Sequence, residues 1–149
     1  MNIKEHMSPE KLEKYSFWWS EARLLIAALA LFLGGVSPVL YFGLPSGLYN
    51  MISSLLTLAW IISGVAAAYL LYRWYGPKTL FGGKAQLDTY AFFVMIVSGI
   101  NLGLTGVIGN NIGMSISYNR AVFAIVALLY LASAYHLHRR WKASGKKLF

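Results

Sequence analysis

Residues 24–72 read LLIAALALFLGGVSPVLYFGLPSGLYNMISSLLTLAWIISGVAAAYLLY, 49 residues between Arg23 and Arg73 without one Asp, Glu, Lys or Arg. A membrane span needs about 20 apolar residues at 1.5 Å rise each, so this run holds two spans and a short turn. Working outward, 31 uncharged residues separate Asp88 from Arg120, and 18 separate Arg120 from Arg139, interrupted only by His136 and His138. The first stretch holds a span and a loop, the second one more span. Backbone groups in hydrocarbon must bond internally, so spans are helices or closed barrels. These runs are too long and too continuously apolar for barrel strands. The expected architecture is an all-α integral membrane protein, a single membrane domain with spans over 22–43, 50–72, 89–109 and 119–138 paired as two antiparallel hairpins.

Composition agrees. Apolar residues make up 58% and charged residues 12%, against roughly 25% charged in a soluble domain. With a mean hydropathy of +0.56, this excludes a soluble globular enzyme and a disordered chain. Twelve of the 13 basic residues fall in the N-terminal segment, the 73–84 loop and the 139–149 tail, and only Arg120 lies elsewhere. The positive-inside rule then places both termini and the middle loop in the cytoplasm, in a plasma or inner membrane. Trp18, Trp19, Trp74 and Trp141 near the inner ends, and Tyr41, Tyr49 and Tyr118 near the outer ends, fit interfacial belts, with Trp60 the exception. The net charge of +8 follows this topology, so anionic phospholipid is the expected partner and nucleic acid is not. Arg73, Lys78, Lys84, Arg139, Arg140 and Lys142 are the expected lipid contacts.

The first 21 residues mix Lys with Glu and lack an apolar core before Trp18, so the first span is expected to remain as an anchor. Within them, residues 8–19 read as a short amphipathic helix on the inner leaflet. Ser8 is its cap, Pro9 its first turn, and Leu12, Tyr15 and Trp19 its apolar face. Gly34-Gly35 and Ser37-Pro38 predict a kink or early stop in the first span. A shift of 66 residues aligns Gly43, Gly47, Ala66, Ala68, Tyr69, Leu71 and Arg73 with Gly109, Gly113, Ala132, Ala134, Tyr135, Leu137 and Arg139. This is the pattern of a duplicated hairpin, or of interface residues chosen alike in two helices.

The third span is the least ordinary. Gly99 and Gly103 form a small-xxx-small pair of the kind that lets helix backbones approach closely, with Gly106 beyond them. Ser98, Asn101 and Thr105 place hydrogen-bonding groups at membrane depth. An unpaired amide in hydrocarbon costs a few kcal/mol, so Asn101 needs a partner on another helix, in another subunit, in water or in a ligand. The loop after it, with Asn110, Asn111 and Asn119, reads as polar and flexible.

Little else carries chemistry. The span interiors read as free of charge: Glu21 and Arg23 flank the first, Asp88 and Arg120 the third and fourth, all within reach of water or headgroups. Glu21 and Asp88 are the acidic groups nearest the membrane. His136 and His138 are two apart, so they do not share a helix face, and they read as interfacial residues. Metal, haem, disulfide and nucleophile-base motifs are missing, and no cofactor is expected. The expected function is therefore non-catalytic, an accessory subunit or partner-binding scaffold of a membrane complex. The alternatives are a small oligomeric channel or carrier lined by the polar third helix, and a lipid-binding or lipid-modifying protein. Partners are the bilayer and another membrane protein or further copies of the chain.

Overall fold

The computed structural model describes residues 8–34 and 46–149. Every regular element among them is helical, and the one extended pairing is an isolated bridge between Leu80 and Gly83. The helices are α1 (Pro9–Phe32), α2 (Tyr49–Tyr75, entered through a 3-10 turn at Ser46–Leu48), α3 (Gln86–Ile108), the short α4 (Ile112–Ile116) and α5 (Arg120–Ala143). Three of them are long and apolar enough to cross a membrane: α2 from Asn50, α3 and α5. α1 is not among these. Six charged residues lie between Glu10 and Arg23, and the apolar run that follows passes into residues outside the described part. The expected kink at Ser37-Pro38 and the start of the turn at Gly43 fall there too.

The N-terminal segment is a correction. Residues 9–19 are not a separate surface helix but the first half of α1. No breaker interrupts the chain between Trp19 and Leu24. The buried residues Glu13, Phe17, Ser20, Glu21, Leu24 and Ala28 run on through both halves as one stripe, so the whole helix packs inward along a single face. Ser8 holds the N-cap backbone position, yet its hydroxyl makes no cap bond. Pro9 supplies the first-turn geometry instead.

The other ends have local causes. Gly109, at φ 76° with its N–H on the Thr105 carbonyl at 2.9 Å, closes α3 in the left-handed region that glycine enters without penalty. The 110–119 loop is more structured than its composition suggests. Asn111 caps α4 by accepting from Met114 N, and Asn119 caps α5 by accepting from Ala121 N at 2.8 Å.

α2 lies along α3, α1 along α5, α3 along α5 and α1 along α2, while α1 and α3 also meet across the middle. Half of α3's apolar window is buried, against 22% for α2 and 28% for α5, so α3 is the most enclosed helix. Ion pairs tie the start of α1 to the end of α2, and the start of α3 to the end of α5. The helices of each pair are therefore antiparallel, and those four ends gather at one basic end of the molecule. The main apolar core lies nearby, around Phe17, Leu24, Leu70, Phe92, Met95 and Trp141. Large apolar side chains such as Ile26, Val65, Val107 and Ile125 face outward, as a hydrocarbon solvent permits.

The 139–149 tail continues α5 and then folds back onto the bundle. Residues up to Ala143 are helix, and Gly145, at φ 68°, turns the chain back, with Lys146 N on the Trp141 carbonyl at 2.9 Å. Leu148 is then buried, Phe81 N donates to its carbonyl at 2.7 Å, and the Phe149 ring meets Phe92. Burying a leucine stabilises the return by about 2 kcal/mol. The matched positions of the 66-residue shift play unlike parts: Arg73 pairs with Glu13, whereas Arg139 is exposed.

Candidate functional site

Polar side chains enter the interior at two levels. The first is the basic end. His136, His138 and Arg140 stand at two-residue steps on α5. Residues four apart share a helix face and residues two apart do not, so His136 and Arg140 converge on one partner and His138 turns to another. Asp88, in the first turn of α3 and 1% exposed, takes the first pair. His136 Nε2 lies 2.7 Å from its Oδ1, and Arg140 donates from Nε to Oδ1 at 3.1 Å and from Nη2 to Oδ2 at 2.9 Å. The Arg140 guanidinium also lies over the Phe81 ring at 5.7 Å. His138 Nδ1 stands 3.1 Å from Glu21 Oε2 on α1. The two carboxylates nearest the membrane in sequence are thus the two that the histidines meet.

A third pair, Glu13 Oε2 with Arg73 Nη2 at 3.0 Å, joins α1 to α2. Burial pushes the Glu13 carboxyl above the usual glutamate range, and the Arg73 charge offsets only part of that. A raised folded value favours the protonated group on folding. Its contribution is present below the unfolded glutamate value and is lost as pH rises through the folded one. Glu13→Gln is therefore expected to cost under about 1 kcal/mol near neutrality, because the pair it removes is already offset by desolvation. It should also flatten the pH dependence of stability between about pH 4 and pH 7, measured by unfolding in mixed micelles. A loss of about 3 kcal/mol or more, as for a fully compensated buried pair, would contradict this.

The second level is the middle of the bundle, and it corrects the expectation of charge-free span interiors. Arg23 does not turn back to headgroups. It is 6% exposed, donates from Nη1 to Ser98 Oγ at 2.9 Å and from Nη2 to the Met95 carbonyl at 2.8 Å. Ser98 is 12 residues into α3, about 18 Å from its start at 1.5 Å per residue. Arg23 Nε has no hydrogen-bond partner, nor has the buried hydroxyl of Ser20 on the same side of α1, nor Glu21 Oε1. One turn beyond Ser98, Asn101 donates from Nδ2 to Asn111 Oδ1 at 2.8 Å and accepts from Gly113 N at 3.2 Å. Its partner is thus the segment that follows α3, not another long helix. A cavity of about 120 Å³ opens beside Ser98 and Asn101, lined by these two, Asn111 and Tyr130 among apolar residues of α1, α3, α4 and α5. A second, open groove of about 450 Å³ lies between α1 and α5, apolar apart from Glu21, Tyr135 and His138.

The glycines of α3 face α2. A Cβ on Gly103 would stand 2.6 Å from Gly64 Cα, one on Gly99 2.6 Å from Ala67 Cβ, and one on Gly106 2.9 Å from Ile61 Cγ1. The small-residue face of α3 is occupied within the chain. The matching residues Ser63, Gly64 and Ala67 went unmarked in the sequence, although Ser63 and Ala67 have the same four-residue spacing. Ser63 also accepts from Trp19 Nε1 at 3.0 Å. Thr105 is buried and donates to the Asn101 carbonyl. Asn110 accepts from Ser115 Oγ, and Asn119 serves as the α5 cap. Of the expected lipid contacts, Arg73 and Arg140 are engaged in ion pairs, Lys78 lies over the Tyr75 ring, and Lys84, Arg139 and Lys142 are exposed at the basic end.

Among the described residues no three His, Asp or Glu side chains converge as metal ligands. No protein-family model, curated protein or solved structure matches the chain.

Proposed function

We propose that the chain is a four-span membrane protein acting as a small channel or carrier, assembled from several copies, with both termini on the cytoplasmic side of a plasma or inner membrane. The first of the four spans is the one expected over 22–43, and the gathered basic end faces anionic phospholipid. One observation carries the reading: the interior line of hydrogen-bonding groups from Arg23 through Ser98 and Asn101 to Asn111, beside a cavity, at a depth where polar groups are costly. The accessory-subunit reading is less favoured, because the glycine face of α3, which could have received a partner helix, is taken by α2.

Asn101 is the residue to change. Asn101→Leu removes the amide from the cavity wall and releases Asn111 and Gly113. Lost interhelical side-chain hydrogen bonds in membranes cost only about 0.6–2 kcal/mol. The variant is therefore expected to stay folded while solute flux into reconstituted vesicles falls by about tenfold or more, equivalent to about 1.4 kcal/mol in a barrier. Wild-type vesicles without flux of any ion or small solute, together with a stoichiometric companion protein retained on gentle extraction, would move the assignment to accessory subunit.

A further inference from the structure

Among the described residues, two hydrogen bonds tie the short helix α4 to the long helices, and both belong to Asn101. Its Nδ2 donates to Asn111 Oδ1 at 2.8 Å, and its Oδ1 accepts from Gly113 N at 3.2 Å. The other side-chain hydrogen bonds of residues 110–116 stay within that segment. No residue of α4 is buried, and Ile112 and Ile116 are exposed. An element with so little buried surface opens at low cost. Behind it lies the cavity of about 120 Å³, in which Asn111, Gly113 and Met114 form the wall away from the basic end. Toward the basic end the fully buried Leu24, Phe92 and Met95 close the core.

The lining selects for a neutral guest. Among the described residues no charged side chain lines the cavity, so an ion entering it would exchange hydration for neutral dipoles, which is costly. A cation is opposed further by Arg23, which donates to Ser98 Oγ in the cavity wall at 2.9 Å. The polar lining has capacity to spare. Ser98 Oγ accepts from Arg23, but its own proton has no acceptor among the described residues, and Asn111 Nδ2 and the Tyr130 hydroxyl make no hydrogen bond there. Asn101 Oδ1 has used one of its two lone pairs. At about 30 Å³ per water, the cavity has room for about four water-sized bodies. We infer that it binds a small uncharged solute carrying both donors and acceptors, an amide of about the size of acetamide or urea, and that α4 is its lid, latched by Asn101. The inference deepens the proposed function by naming the class of solute, and it rests on that reading for transport but not for binding.

The test reads binding apart from flux. The chain contains no cysteine, so Val126→Cys, on the apolar wall, sets a single reporter thiol in the cavity. The full-length variant in phosphatidylcholine nanodiscs is labelled with methyl methanethiosulfonate, which is small and neutral. Acetamide or urea, up to about 100 mM and thus far above a millimolar dissociation constant, should slow labelling saturably, by about threefold or more. Potassium chloride at the same concentration should not. Adding Asn101→Ala removes the latch and should speed labelling about tenfold or more, with wild-type tryptophan fluorescence retained. Should that variant misfold, Tyr130→Phe is the companion, since it removes a hydroxyl that no hydrogen bond of the fold uses. It should weaken the protection by about threefold or more and leave the labelling rate without solute unchanged. Protection without flux of acetamide or urea into reconstituted vesicles would support the pocket and overturn the carrier reading. Flux of ions, with neither protection nor flux by the two amides, would overturn the inference and leave the carrier reading standing. Protection by chloride in place of the amides, or no faster labelling in a folded Asn101→Ala variant, would also overturn it.

Discussion

Leucine in place of Gly103 is expected to abolish the native packing of α2 against α3. The cause is backbone meeting backbone. A Cβ at Gly103 would come within 2.6 Å of Gly64 Cα and 3.2 Å of Gly64 N, and neither can swing away as a side-chain tip can. The helices must separate, and the seam carries Gly99 against Ala67 and Gly106 against Ile61 with it. Overpacking a tight contact costs about 1–3 kcal/mol where side chains can yield. With an unyielding backbone the loss should reach about 3 kcal/mol or more, a large part of the stability of a small domain. Gly103→Ala should show most of this. Gly76→Ala, where nothing lies within 4 Å of the new atom, should change stability by less than about 0.5 kcal/mol or raise it slightly. Unfolding in mixed micelles, followed by tryptophan fluorescence, measures all three. If Gly103→Leu unfolds with the wild-type midpoint, the seam does not hold these helices.

The second large effect belongs to Asp88. Its carboxylate is the common acceptor for His136 and Arg140 and is closed off from solvent. Asp88→Asn keeps the shape and one carbonyl acceptor, but removes the negative charge and sets an amide NH2 donor against the donors of Arg140 or His136. Breaking a buried pair from one side costs about 3–5 kcal/mol. The Arg140 side chain is 39% exposed and can turn outward, which points to the lower figure. Asp88 also sits in the first turn of α3, where a negative charge contributes about 0.3–1 kcal/mol through the helix dipole. A double-mutant cycle separates the two. Asp88→Asn combined with Arg140→Gln should be less damaging than the sum of the single changes by at least about 1 kcal/mol. Additive effects would reduce the pair to a surface contact. Because Arg140 and His136 both clamp α5 to α3, the Asn variant should also loosen the returning tail, seen as faster proteolysis near Leu148.

The apolar runs told most of the architecture in advance. They located α2, α3 and α5 to within a few residues at most ends, because a helix in hydrocarbon is dictated by length and composition alone. The two-residue step between His136 and His138 already forbade a shared ligand. A separate helix at 8–19 does not form because the buried stripe of α1 continues without a break through Ser20, Glu21, Leu24 and Ala28, a continuity that the change from a charged to an apolar composition hides. The return of the tail has no local signal either: Leu148 and Phe149 follow two lysines, and their burial depends on the distant Phe81 and Phe92.

Arg23 shows the limit most clearly. In sequence it stands at the edge of an apolar run, where a long side chain normally snorkels to water. Which way it turns depends on a neighbour 75 positions away, Ser98, and on glycines that let α2, α3 and α1 approach closely enough to enclose it. The sequence by itself determined that the chain is helical, apolar enough for a membrane and basic at one end, because each follows from local composition. The tertiary arrangement alone brings Asp88 and Glu13 to arginines and Glu21 to His138, sets the α3 glycines against α2, and turns Arg23 to the core with neutral partners. Those outcomes depend on which side chains from distant segments arrive at the same place, and no local pattern encodes that.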